Sequence, residues 1–142
     1  MLIIGIYSCA RYWPMRARIS LFERSTGSAL AKRKKKDPLI LKYWDVIVKK
    51  ANIGTPENLR LAILEADALV DYFLKKSGYA GEHMADRLAR ITPGDVKSLE
   101  KVWQAHRLRN DLVHTPGFVV SPDEARKSLV AYRAFLIEMD AF

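Results

Sequence analysis

Among 142 residues there is one cysteine, Cys9. That excludes an intramolecular disulfide and any cysteine-based metal site, and it favours a reducing compartment, so a cytoplasmic location is expected. Only three histidines are present, His83, His106 and His114. No two of them stand at helical ligand spacing such as His-x-x-x-His, so neither a metal centre nor a cofactor is expected. There is no glycine-rich phosphate loop, and no Ser/His/Asp set that sequence alone would support. No apolar run approaches the roughly 20 residues that cross a bilayer. Alternating β-branched runs are missing too: Phe118-Val119-Val120 is the one strand-like stretch, and it is too short to build a sheet.

What is there has the composition of one ordinary globular domain, 49% hydrophobic and 28% charged, on a chain long enough to bury a core. The net charge of +8 suggests a nucleic-acid footprint until it is located. Residues 1–36 hold nine basic side chains and one acid, Glu23, whereas residues 37–142 hold fifteen of each. The basic excess thus belongs to the beginning of the chain. Bulk pI is therefore no argument for RNA binding by the remainder, although a local basic patch stays open.

Residues 1–37 read as an apolar, then polybasic tail and linker. Leu2, Ile3, Ile4, Ile6, Tyr7, Tyr12 and Trp13 precede Pro14 and a run of arginines. No basic residues precede the apolar run and the charges follow it, so the stretch does not read as a signal peptide. A short helix packed on the domain or a partner, a membrane-surface segment and a disordered end all remain open. Lys32-Arg33-Lys34-Lys35-Lys36 follows; like charges repel, so the run is expected to stay solvated or to meet phosphate groups of lipid or RNA.

Residues 38–142 read as all-α. Pro38 opens a first helix over about 38–51, with Ile40, Trp44, Ile47, Val48 and Ala51 on one face, and Asn52-Ile53-Gly54 ends it. Thr55-Pro56-Glu57 is a start signal for a second helix over about 56–77, the most hydrophobic of the chain, with Glu65, Asp67 and Asp71 along its polar edge. A short accessory helix is expected near 82–90. Thr92-Pro93-Gly94-Asp95 repeats the start signal for a third helix over about 94–114, and Ser121-Pro122-Asp123-Glu124, a capping box, opens a fourth over about 122–140. The expected architecture is an up-and-down four-helix bundle with a short accessory helix, preceded by the basic tail.

The third helix carries the chemistry. Leu99, Val102, Trp103, His106, Asn110 and Val113 recur at spacings of three and four and share one face, yet two of them are polar. An unpaired polar group costs roughly 1–3 kcal/mol on burial, so these side chains must find partners or line a cleft. Arg109-Asn110-Asp111-Leu112-Val113-His114 then places a permanent cation, an amide and an imidazole where the helix ends at Thr115-Pro116-Gly117. An arginine that grips phosphate and a histidine that moves a proton suffice for RNA cleavage by the ribose 2′-hydroxyl without a metal. The plainer reading is that His114 caps the helix end, that Arg109 pairs with Asp67, Asp71 or Glu65, and that His106 is a satisfied interface histidine.

The pattern Arg-polar-x-x-x-His, late in the third helix of a predicted four-helix bundle, resembles the signature of the HEPN superfamily. The resemblance covers about residues 38–140. It implies an up-and-down helical bundle, often a homodimer with the motifs of two protomers facing one cleft. It implies the metal-independent endoribonuclease chemistry of the family's catalytic members, with Arg109, Asn110 and His114 as the catalytic set; His106 and Asp111 stand beside that set as secondary candidates. RNA, a second copy, a small antitoxin-like protein and, through the tail, a membrane surface are the expected partners. The alternative is a non-catalytic dimerisation or scaffold module tethered by its basic tail.

Overall fold

The structure, a computed structural model, describes residues 36–142. The apolar segment and the basic residues Lys32, Arg33, Lys34 and Lys35 lie outside the described residues; Lys36 is within them and pairs with Asp140 at 3.3 Å on the surface.

The described residues are all-helical. Pro38–Ile53 (α1), Pro56–Lys76 (α2), Met84–Leu88 (α3), Leu99–His114 (α4) and Pro122–Glu138 (α5) follow one another, with no strand among them. Three of the starts are written locally. Asp37 accepts from the Leu39 N–H at 3.0 Å, and the Thr55 hydroxyl accepts from the Asn58 N–H at 3.3 Å. Ser121 and Glu124 exchange bonds as a capping box, and a proline stands at the start of all three helices. Gly54, at φ 77°, ends α1 in the left-handed conformation that glycine adopts without strain.

The third long helix begins later than its sequence suggests. Thr92-Pro93-Gly94-Asp95 forms a turn closed by the Asp95 N–H on the Thr92 carbonyl, with Gly94 at φ 100°, and α4 starts only at Leu99. Its cap comes from the end of α5. The Glu138 carboxylate accepts from the Ser98 N–H at 3.0 Å, from the Ser98 hydroxyl at 2.6 Å and from the Lys97 N–H. This cap is a tertiary contact spanning forty residues. The accessory helix is also shorter than expected, one turn capped by the Asp86 carboxylate on the Glu82 and His83 N–H groups.

Helix α2 is the central element, packed against each of the other four. The ion pairs Asp37–Lys76 and Lys50–Glu65 fix it antiparallel to α1. Helix α4 also runs antiparallel to α2, since Arg60 meets the Leu112 carbonyl while Asp67 meets His106. Ile40, Trp44 and Ile47 of α1, Ile63, Val70 and Leu74 of α2, Leu88 of α3, Val102 of α4 and Tyr132, Phe135 and Leu136 of α5 form the core. Burying each of the larger apolar side chains contributes about 1.5–3 kcal/mol. Along α4 the buried line drifts: Leu99, Val102, Ala105, His106 and Leu112 are inside, whereas Val113, expected on the same face, is 43% exposed. The second half of α4 therefore turns much of its polar sequence outward.

Candidate functional site

His106, Arg109 and Tyr132 gather around one carboxylate on α2. Asp67 is 3% exposed, in a stretch otherwise filled by Ile63, Ala66 and Val70. A buried carboxylate must be paired and hydrogen-bonded to stay charged. Tyr132 of α5 donates to Asp67 Oδ1 at 2.9 Å, and His106 Nδ1 lies 2.7 Å from the same oxygen. Arg109 Nε lies 3.4 Å from Oδ2, an ion contact and not an aligned hydrogen bond. Burial, followed by the charge and the hydrogen bond of Asp67, pushes the Tyr132 phenol well above its ordinary value, so Tyr132 remains a donor.

Of the three carboxylates along α2 that could pair with Arg109, the structure selects Asp67. Glu65 pairs with Lys50, and Asp71 takes the buried Arg87 at 2.6 Å. This selection follows from rotation about the helix axis: Asp67 is four residues from Ile63 and three from Val70, on the inward side, while Glu65 and Asp71 lie toward the edges.

Arg109 is anchored without being consumed. Its Nη1 donates to Asn110 Oδ1 at 2.9 Å and its Nε faces Asp67, which leaves three of its five donors outside these two contacts. The side chain is 34% exposed. Asn110, the next residue along the helix, is thus a hydrogen-bond partner of the arginine. Nearby, the exposed Arg60 donates from Nη2 to the Leu112 carbonyl at 3.3 Å, placing a second guanidinium against the last turn of α4. Sequence reasoning missed Arg60, and nothing local to it announces the contact.

His114 is the last residue of α4 and is exposed, with no hydrogen bond or ion pair among the described residues. Five helical residues separate it from Arg109, about 140° around the axis and about 7.5 Å along it, whereas Asn110 is only about 40° away in angle. The cation and the exposed imidazole of one chain therefore project in different directions. Asp111 is exposed on the outer surface, and His83 lies on the segment before α3. The imidazole the structure joins to Arg109 is His106, which shares Asp67 with it and sets its ring edge-on against Trp103 at 6.3 Å between centroids.

Tyr132 is the member of the cluster that its sequence context disguised. It lies in the apolar stripe of α5 with Leu129 and Leu136 and reads as core, which it is. Its hydroxyl was the available signal, because a tyrosine buried completely needs an acceptor. Among the described residues there is no group of histidine, cysteine and carboxylate side chains that could hold a metal. No helix among them is long and apolar enough to cross a membrane. No family model matches the chain, and no curated protein or solved structure matches it.

Proposed function

We propose that residues 38–142 form an HEPN-like up-and-down four-helix bundle that acts on RNA as a metal-independent endoribonuclease. The observation that carries this reading is the state of Arg109: held by Asp67 and Asn110, with three donors outside those two contacts and the side chain partly open to solvent. A guanidinium so placed is suited to two oxygens of a phosphodiester. His114, exposed at the helix end, then handles protons. It accepts the 2′-hydroxyl proton as that oxygen attacks phosphorus, and the imidazolium so formed returns a proton to the 5′-oxygen that leaves. The products are a 2′,3′-cyclic phosphate and a free 5′-hydroxyl. Arg109 stabilises the charge that develops on the non-bridging oxygens.

The wide angle between Arg109 and His114 supports a homodimer as the working unit, because apposed copies would let the arginine of one meet the histidine of the other. A small antitoxin-like protein covering the exposed end of α4 is the natural regulator on this reading. The decisive assay is incubation of the purified chain with single-stranded RNA in EDTA. Cleavage leaving cyclic phosphate ends, abolished in Arg109→Ala and His114→Ala, is the expected result; intact RNA at micromolar protein would remove the catalytic reading.

A second reading, a non-catalytic dimerisation or scaffold module, has its own support in α1. Leu39, Tyr43, Val46 and Ile53 are 47–61% exposed and fall within about 80° of one another around the helix. Intact RNA together with self-association abolished by Tyr43→Glu is the outcome that belongs to this reading. Contact of the tail with a lipid surface is part of it and rests on residues outside those described.

A further inference from the structure

Asp67 is almost wholly buried and lies outside the Arg-Asn-x-x-x-His pattern, yet the guanidinium of Arg109 and the imidazole of His106 both face its carboxylate. We infer that Asp67 is the positioning residue of this site, aiming the Arg109 guanidinium outward and holding His106 as the tautomer protonated at Nδ1. The inference rests on the reading of Arg109 as a phosphate-binding group.

The tautomer follows from donor and acceptor counting. Asp67 Oδ1 receives the Tyr132 hydroxyl at 2.9 Å and faces His106 Nδ1 at 2.7 Å. A carboxylate only accepts, so the nitrogen facing it must carry the proton; an unprotonated Nδ1 at that distance would oppose two lone pairs. Proton-bearing Nδ1 leaves Nε2 of the neutral ring as an acceptor, and the His106 side chain keeps 11% of its surface in solvent.

The direction of Arg109 follows from the other oxygen. With Nε against Asp67 Oδ2 and Nη1 on Asn110, the guanidinium is held at two points, and the side chain keeps 34% of its surface in solvent. Without the inward contact the arginine has a long, freely rotating stem, and ordering it would oppose phosphate binding.

Asp67→Asn separates these two tasks. The amide oxygen still accepts from Tyr132 and His106, but an NH2 group now confronts Arg109 Nε, donor against donor. With the full-length chain, the expected result is an Arg109 Nε–H resonance that is distinct in the wild type and collapses to the free-arginine position in Asp67→Asn. Affinity for a single-stranded RNA oligonucleotide falls about tenfold, the loss expected when one charge-assisted contact is forfeited. An unchanged Arg109 resonance in a folded Asp67→Asn protein would overturn the aiming role, whether or not RNA binds. The wild type alone tests the tautomer: ring 15N spectra of neutral His106 should show a protonated Nδ1 and a bare Nε2, and the reverse pattern overturns it even if the variant fails to fold. A wild type that ignores RNA while both spectral signatures hold would remove the RNA reading and leave the positioning role standing.

Discussion

Tyr132 is wholly buried, and its hydroxyl meets one acceptor, Asp67 Oδ1. Tyr132→Phe keeps the ring and removes the donor, leaving His106 and Arg109 to hold the carboxylate. The expected cost is about 1 kcal/mol by chemical denaturation, the net value of one hydrogen bond. A loss several times larger would mean that the phenol organises the cluster; no loss would mean that the bond contributes nothing. Asp67→Ala should be far worse, about 3–5 kcal/mol, because it strands a buried histidine and a buried phenol and removes the counter-charge of Arg109 as well. At this scale the sequence was half legible. Its periodicity placed Asp67 among three candidate partners for Arg109, and helix rotation, which depends on how α2 beds into its neighbours, chose between them. The exposed position of His114 was equally undecided, since a histidine at a helix end is as well suited to capping as to chemistry.

At the scale of elements, local chemistry wrote the starts of α1, α2 and α5, and each was readable because proline and its capping neighbour lie within four residues. The start of α4 was not readable, because its cap is Glu138, brought back by the antiparallel packing of α5. Partial burial works against the charged form of Glu138, but the Ser98 hydroxyl and the N–H groups of Lys97 and Ser98 outweigh it and hold the carboxyl below its ordinary value of 4.5. A carboxyl lowered on folding adds stability that is complete above the ordinary value and is lost as pH falls through the lowered one. Glu138→Gln should therefore cost about 0.5–2 kcal/mol near neutrality, the usual worth of an N-terminal cap, and progressively less as the solution is acidified through the carboxylate range. Thermal melts of both proteins at pH 7 and pH 3 provide the check; a difference that does not shrink at low pH would show that the charge is not what caps α4.

For the molecule as a whole, the apolar spacing made the helical class plain, because nothing in the chain competes with a period of 3.6 residues. The motif was legible in the sequence, and the surroundings of its arginine were not. Spacing named Arg109, Asn110 and His114, whereas the cluster that actually holds Arg109 draws on three helices, with Asp67 and Tyr132 lying 42 and 23 residues away in the chain. Charge is instructive in the same way. The domain is nearly neutral, so any affinity for RNA must come from a few well-aimed cations and not from a general basic field.

That requirement makes Arg109 the residue on which the account turns, and the salt dependence of RNA binding interrogates it directly. A single-stranded RNA oligonucleotide titrated into wild type and Arg109→Ala across a series of salt concentrations should bind the variant at least tenfold more weakly, with a plot of log affinity against log salt shallower by about 0.7, the contribution of one lost phosphate contact on a single strand. Equal affinity and an equal slope for the two proteins would mean that the outer edge of this guanidinium meets no phosphate.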